Sequence, residues 1–329
     1  MRSIDKEFAE FDRPDVPGLV LASIEHGQPA IVRSWGLANL ATRVSCQPQT
    51  NFRLASVSKA FTAMAILILA ERGELTLDDK LPRFFPRFPS YGKEITIRQL
   101  LTHTSGLLDY EDLMAAGTTA ALKDRDVLEI LQRQDKTRFG AGARFGYNNG
   151  AYALLALIVE LVSGRSFAEF LRENIFLPLG MNNTVAYEAG KSEVPHRALG
   201  YSKRGEAFEQ TDQSRTSAVL GDGGIYSSAH DLCKWAQALD TGRLIRPPLL
   251  QQAFTAHARQ SDAPGNGYGY GWYVGRQGEE EHVWHHGSTC GFSTSFHRFP
   301  AGKRSVILLA NRSEAGLEAL VAKYIDKAS

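Results

Sequence analysis

The pattern of apolar and polar positions divides the chain into three parts. Residues 16–38 contain two runs of β-forming residues around the turn sequence Glu-His-Gly-Gln-Pro, a pattern that is typical of a hairpin. From about residue 59 to residue 240 the apolar positions recur with a helical period, in segments that end at breakers such as Gly164. From residue 268 the period returns to two over four segments, and residues 313–327 read as a closing helix.

These patterns predict an α/β (α+β) fold in which N-terminal and C-terminal strands form one antiparallel sheet flanked by helices, with a large helical insert between them. We expect residues 1–58 and 241–329 to form the sheet part and residues 59–240 the mainly helical part of a single unit, 1–329. The sequence contains no internal repeat, low-complexity tract or long linker, which favours one intertwined unit.

Composition narrows the class of partner and the compartment. Thirty-seven basic residues nearly balance 36 acidic ones, and no Lys/Arg block occurs, so we expect no nucleic-acid partner and no membrane partner. The odd number of three cysteines, widely spaced, argues against a disulfide framework and for a reducing compartment. The acidic N-terminal segment lacks the pattern of an export signal, and the longest apolar run, residues 60–70, is about half of a bilayer span. We therefore expect a cytoplasmic protein, with its oligomeric state left open.

Candidate chemistry begins with Ser-x-x-Lys, which occurs at residues 3–6, 56–59 and 90–93. A serine before a helix is ordinarily an N-cap, so the motif alone proves little. Only Ser56 stands at the start of a strongly apolar helical segment. Positions i and i+3 share one face of a helix, so Lys59 can reach the Ser56 oxygen, and a helix N-terminus favours developing negative charge.

A second candidate is Tyr147-x-Asn149, the only Tyr-x-Asn in the chain, in a glycine-flanked loop before a wholly apolar helical segment. It is either an aromatic side chain packed at a turn or a catalytic group held by a rigid loop.

A third candidate contains histidines 282, 285 and 286. On a strand, His282 and His285 point to opposite faces, and no carboxylate or thiolate follows at ligand spacing, so we expect neither a metal nor a cofactor. His285-x-Gly287-Ser288 instead resembles a strand edge at which glycine lets a substrate approach the backbone.

The order Ser56-x-x-Lys59, Tyr147-x-Asn149, His285-x-Gly287 resembles the serine β-lactamases and penicillin-binding proteins, in the class C branch with its related esterases and D-aminopeptidases. Residues 100–110, 176–184, 221–232 and 285–292 resemble that family too, so the likeness covers nearly the whole chain. It implies a β-lactamase/transpeptidase-like fold.

The resemblance also implies roles. Ser56 would be the nucleophile of an acyl-enzyme mechanism, and Lys59 and Tyr147 the base pair, with the Lys59 ammonium favouring the Tyr147 phenolate. Which of the two accepts the proton is left open. The backbone N–H groups of Ser56 and Ser288 would form the oxyanion hole. Asn149 would hold a substrate carbonyl or the base network.

One position departs from the class C pattern, in which a lysine begins the third motif and receives a substrate carboxylate. Here that residue is His285, which is ordinarily neutral at pH 7 and would charge only towards pH 6. We therefore expect a serine hydrolase acting on small esters or amides. The alternatives are a D-aminopeptidase or a weak class C-type β-lactamase acting on a lactam, and a non-catalytic scaffold on the same fold.

Overall fold

The computed structural model describes residues 2–115, 117, 119–261 and 263–328. The helices are α1 (Arg2–Glu7), α2 (Lys59–Glu71), α3 (Leu81–Phe84), α4 (Ile97–Leu101), α5 (Tyr110–Leu113), α6 (Asp124–Gln132), α7 (Asn149–Ser163), α8 (Phe167–Leu171), α9 (Leu177–Leu179), α10 (Leu220–Gly223), α11 (Ala229–Thr241), α12 (Pro247–Ala253) and α13 (Leu317–Ala328). Short 3₁₀ turns occupy Ala55–Ser58 and Ser90–Gly92, and Arg172–Phe176 is π-helical.

The strands are β1 (Leu19–Glu25), β2 (Gln28–Trp35), β3 (Leu37–Asn39), β4 (Val44–Ser45), β5 (Asn51–Arg53), β6 (Val185–Ala186), β7 (Tyr201–Arg204), β8 (Ala207–Gln210), β9 (Ile225–Ser228), β10 (Ala258–Arg259), β11 (Gly267–Tyr268), β12 (Tyr273–Gln277), β13 (Glu280–Thr289), β14 (Phe292–Phe299) and β15 (Arg304–Ala310).

The main sheet joins the two ends of the chain, as the periodicity predicts. Its eight strands lie in the order β10-β11-β12-β13-β14-β15-β1-β2, and each adjacent pair is antiparallel. Strands β1 and β15 pair with Leu19 opposite Ala310, and both are buried along nearly their whole length. The predicted fold class, an antiparallel sheet built from N-terminal and C-terminal strands, is confirmed. The continuous burial of β1 and β15 requires cover on both faces of the sheet.

Helices supply that cover. On one face, Leu21 and Leu308 of the sheet belong to the same apolar cluster as Phe8 near α1 and Leu320 of α13. On the other face, the sheet packs on the helical part, with α11 against β1 and β15. That core is continuous from the sheet through α2 to α7.

The helical part mounts the candidate residues on buried segments. Residues 59–69 of α2 are all buried, and Gly164, in the left-handed conformation (φ 68°), caps the C-terminus of α7. The part also contains β6 to β9, of which β6 and β9 join β5 in a second sheet. These strands are two to four residues long, too short to leave a period-two pattern in the sequence. Within the described residues, no helix combines the length and apolarity needed to cross a membrane.

Candidate active site

Ser56 lies in a tight turn between β5 and α2. The preceding residue, Ala55, has φ 48°, a left-handed conformation that a residue with a Cβ seldom adopts, and Ser56 follows in the 3₁₀ turn that leads into α2. Ser56 is partly exposed although its neighbours Val57 and Ser58 are buried. The turn therefore presents one hydroxyl to solvent from an otherwise buried segment.

Strand β13 lies directly against this turn, and Gly287 makes the approach possible. A Cβ at Gly287 would lie 2.2 Å from the Leu54 carbonyl oxygen and 2.3 Å from Thr294 Oγ1. Thr294 Oγ1 donates a hydrogen bond of 2.7 Å to that same carbonyl. The protein's own Leu54–Ala55 backbone occupies the space that a Cβ would need, which explains the glycine, and the approach of a substrate to this strand stays a prediction. The close contact holds β13, and Ser288 on it, beside Ser56.

Lys59 connects the nucleophile to two other segments. It is fully buried, and its Nζ donates hydrogen bonds to Ser56 Oγ (3.1 Å), Asn149 Oδ1 (2.9 Å) and the Asp222 carbonyl oxygen (2.9 Å). The predicted contact between positions i and i+3 is thus present, while α7 and α10 supply the other two acceptors.

Burial sets the acid–base properties of this lysine. Desolvation lowers the pKa of Lys59 to about 8, against the opposing effect of the negative charges of Asp222, Asp109 and Glu111. A fraction of the molecules therefore has Lys59 unprotonated near neutral pH, whereas a free lysine is almost entirely charged there.

Tyr147 behaves in the opposite way to the expectation that it is a phenolate. Burial raises the pKa of Tyr147 above its ordinary value, the hydrogen bond with the Ser56 hydroxyl acts in the opposite direction, and the negative charge of Asp222 adds to the rise. The Lys59 Nζ lies 5.0 Å from the centroid of the Tyr147 ring. Its charge does not overcome these effects, so Tyr147 remains a protonated phenol at neutral pH.

The polar atoms of Asn149 are engaged within the protein. Its Oδ1 accepts from Lys59, its Nδ2 donates to Glu111 Oε1 (3.0 Å), and its backbone N–H donates to Asp109 Oδ2 (3.2 Å). Of the two roles left open for this residue, the geometry favours support of the base network over contact with a substrate carbonyl.

His285 is 1% exposed, and both of its ring nitrogens have partners. Nδ1 donates to the His286 carbonyl oxygen (2.7 Å), which leaves Nε2 to accept from the Tyr268 hydroxyl (3.0 Å). Burial lowers the pKa of His285 to about 3, and the positive charge of Lys59 lowers it further in the same direction. The expectation that His285 charges towards pH 6 is therefore wrong, because a buried imidazolium beside a lysine is strongly disfavoured.

The other two histidines of this segment lie apart from His285, as the alternation of a strand predicts. His282 Nε2 contacts His297 Nδ1 at 2.8 Å, His297 Nε2 contacts Ser295 Oγ at 2.6 Å, and His286 Nδ1 contacts Ser295 Oγ at 3.1 Å. These residues form a hydrogen-bonded chain on the face of β13 and β14 opposite His285. The three histidines of the segment are not brought together.

Buried acidic residues in and around α10 are the main feature that sequence reasoning missed. The Asp222 carboxylate accepts from the Tyr110 hydroxyl (3.0 Å), and the Asp124 carboxylate accepts from the backbone N–H groups of Leu220 and Gly221 (2.9 Å each). Burial raises the pKa of Asp222 to about 6 and that of Asp124 to about 7. A usable signal existed for Asp222, since an aspartate among three glycines stands in a segment that already resembled the family.

A small polar pocket, about 50 Å³ in volume, opens in front of Ser56. Its lining combines the nucleophile turn, β13 and the acidic side chains: Arg53, Ala55, Ser56, Glu111, Asn149, Thr216, Asp222, Gly223, Ser288 and Thr289. Ser56 and Ser288, the two predicted oxyanion-hole residues, thus face the same space.

The chain belongs to the Beta-lactamase family, whose model matches residues 4–328. The resemblance inferred from the motifs is therefore confirmed, and family and fold together support a hydrolase. Penicillin-binding protein 4* of Bacillus subtilis (strain 168) is 33% identical over 312 residues, which cover 90% of this chain and 68% of the relative.

Solved structures agree with the family. A penicillin-binding protein from Bacillus halodurans has a TM-score of 0.81 at 29% identity, and the match covers 98% of this chain and 98% of that protein. The D-amino acid amidase from Ochrobactrum anthropi SV3, complexed with L-phenylalanine amide, has a TM-score of 0.86 at 23% identity, over 99% of this chain and 97% of the amidase. At 23% identity, the match with the amidase shows a shared fold.

Proposed function

We propose that this protein is a serine hydrolase that forms an acyl ester on Ser56 and acts on small neutral or cationic amides and esters in preference to anionic β-lactams. The observation that carries the proposal is the charge of the pocket. Glu111 and Asp222 line it together with Ser56, and the third motif contributes a neutral His285 where a class C enzyme has a lysine. Among the described lining residues, the one cation, Arg53, is 2% exposed, and its guanidinium donates to Gln213 and to the Ser217 carbonyl oxygen.

In the proposed mechanism, unprotonated Lys59 accepts the Ser56 hydroxyl proton as Oγ attacks the substrate carbonyl carbon. Its pKa of about 8 and its 3.1 Å contact with Oγ support this role over a Tyr147 phenolate. The backbone N–H groups of Ser56 and Ser288 stabilise the oxyanion. The phenol of Tyr147, hydrogen-bonded to Ser56, gives its proton to the leaving nitrogen or oxygen and is reprotonated by Lys59. Water then hydrolyses the acyl ester by the same groups in reverse.

The substrate preference follows from Coulomb interactions in a confined space. Glu111 is exposed at the pocket and Asp222 is buried within it, so an ammonium group near the scissile carbonyl would be attracted and a carboxylate repelled. A free amine on the substrate is also what the name of the neighbouring D-amino acid amidase indicates for that enzyme. A small amide with a free amine therefore fits the pocket better than a lactam carboxylate.

Labelling with a fluorophosphonate probe, followed by peptide mass mapping, tests the nucleophile. We expect the label on Ser56. An unlabelled protein, or a label elsewhere, would favour the non-catalytic alternative.

Turnover of phenylalanine amide, N-acetylphenylalanine amide and nitrocefin then tests the substrate class. We expect kcat/KM to be highest for the free amine, by roughly the tenfold that corresponds to 1.4 kcal/mol of electrostatic discrimination. Glu111→Gln should reduce the ratio of kcat/KM for phenylalanine amide to that for its N-acetyl derivative. Glu129 lies on α6, is exposed and forms an ion pair with Arg133, so Glu129→Gln should leave the ratio unchanged. Nitrocefin as the best substrate would contradict the proposal.

A further inference from the structure

His103 lies directly behind Tyr147, just after α4. It is fully buried, and its ring centroid is 4.3 Å from that of Tyr147. The rings of Tyr268 (4.7 Å) and Tyr152 (5.0 Å) enclose it further. Its backbone has φ 55°, a left-handed conformation in which histidine and asparagine are enriched among residues other than glycine.

This residue also binds the backbone on both sides of Tyr147. The His103 carbonyl oxygen accepts from the Gly146 N–H (2.9 Å), and its Nδ1 accepts from the Asn148 N–H (3.1 Å). Ring contact and two hydrogen bonds thus restrain three consecutive residues, 146–148. Part of the Tyr147 side chain remains exposed, and the residue follows a glycine, so neither complete burial nor the local sequence holds it in place.

The second hydrogen bond defines the state of the imidazole. A backbone N–H can only donate, so Nδ1 carries no proton and the neutral ring carries it on Nε2. Among the described residues, His103 Nε2 is a buried polar atom without a hydrogen-bond partner. Burial and the charge of Lys59 both lower the pKa of His103 well below its ordinary value, which maintains the neutral form.

We propose that His103 is a positioning residue that holds the phenol of Tyr147 against Ser56, chiefly through the Asn148 hydrogen bond and secondarily through its ring, which is tilted by 36° against that of Tyr147. The inference rests on the proposed acyl-Ser56 reaction, in which Tyr147 transfers a proton. A phenol that moves by about 1 Å would lose much of that function, since proton transfer requires hydrogen-bond distance. His103 does not line the pocket, so its substitution should change kcat much more than KM.

Two variants separate its contributions. His103→Asn keeps an acceptor for the Asn148 N–H and tolerates the left-handed backbone, but it removes the ring. His103→Phe keeps a ring and removes the acceptor. We expect His103→Phe to lower kcat for p-nitrophenyl butyrate roughly 10²-fold with KM almost unchanged, and His103→Asn to retain most of the activity. If the phenylalanine variant does not fold, His103→Ala replaces it as the variant without an acceptor.

A double-mutant cycle with Tyr147→Phe distinguishes positioning from simple stability. If His103 acts through Tyr147, its substitution should change kcat less than twofold in the Tyr147→Phe background. Equal losses in both backgrounds would overturn the inference. Tyr91→Phe is the matched control, because it deletes one hydroxyl that donates to the Leu131 carbonyl (2.6 Å) away from the pocket. It should alter the melting temperature and leave kcat unchanged.

Wild-type labelling by the fluorophosphonate separates failure of this inference from failure of the proposed function. No label on Ser56 would overturn both. A normal label, together with an active His103→Phe variant, would overturn the role of His103 alone. Faster hydrogen exchange of the Asn148 amide in His103→Phe than in His103→Asn would support it independently of turnover.

Discussion

Two Ser-x-x-Lys segments of this protein share a motif but differ in burial and in the partners of their lysines. Ser56–Lys59 and Ser90–Lys93 both begin in a 3₁₀ turn. Lys59 is fully buried with three acceptors on Nζ, whereas Ser90 and Lys93 are both exposed. In the second segment, the contact between the two positions is a backbone hydrogen bond from the Lys93 N–H to the Ser90 carbonyl oxygen.

The difference shows what converts such a motif into a candidate site. Burial lowers the pKa of Lys59, and the Asn149 side chain and Asp222 carbonyl fix its position. An exposed lysine remains hydrated and samples many rotamers. The chemistry therefore depends on the segments that surround the motif more than on the motif itself.

The largest expected effect is on the nucleophile. Ser56→Ala should abolish hydrolysis of p-nitrophenyl butyrate, because no acyl ester can form without Oγ, while Ser90→Ala should leave turnover unchanged. Steady-state kinetics with circular dichroism as the folding check measure this. Retention of more than a few per cent of turnover in folded Ser56→Ala would refute the assignment.

The next effect concerns the two lysines. Lys59→Met should lower kcat by roughly 10²–10⁴, as expected for loss of a general base, and Lys93→Met should stay within twofold of the wild type. Because Lys59 and Tyr147 serve one proton-transfer step, adding Tyr147→Phe to Lys59→Met should cost little more. Multiplicative losses in the double variant would place the two residues in separate steps.

A smaller effect distinguishes Gly287, which packs against the Ser56 turn from β13, from Gly92, which lies within the Ser90–Lys93 segment. A Cβ at Gly287 would meet the Leu54 carbonyl at 2.2 Å, and one at Gly92 would meet the ring of Phe88 at 2.4 Å. Both alanine variants should lose roughly 1–3 kcal/mol of unfolding free energy in urea titrations through overpacking. Only Gly287→Ala should also lose activity, since it displaces β13 from the Ser56 turn. Unchanged turnover in that variant would show that the close packing of β13 is not needed for catalysis.

The smallest effect is a shift in pH dependence. If unprotonated Lys59 is the base, kcat/KM should rise with pH through a midpoint near 8. The Asp222 carboxylate stabilises the Lys59 ammonium, so Asp222→Asn should lower the pKa of Lys59 and move the midpoint down by roughly one pH unit. Glu94→Gln, next to Lys93, should not move it. A midpoint that rises in Asp222→Asn would reverse the assumed electrostatics.

Sequence reasoning recovered the architecture because its signals are local. The hairpin at the start, the apolar helix α2, the glycine end of α7 and the strands after residue 268 each follow from a periodicity or a breaker within a few residues. The short strands β6 to β9 escaped because two to four residues contain too little pattern. Ser56 and Lys59 were found together for the same local reason, since one helical turn joins them.

The amino-acid sequence by itself determined the order of the elements, the buried mount of Ser56 and the likeness to a family. Only the tertiary structure decided what each candidate side chain can do. It buried His285 behind Tyr268, raised the pKa of Tyr147, lowered that of Lys59, and placed Glu111 and Asp222 at the pocket. The physical reason is that desolvation and charge interactions depend on neighbours in space. Tyr268 lies 17 positions from His285, and the partners of Lys59 on α7 and α10 lie 90 and 163 positions away along the chain.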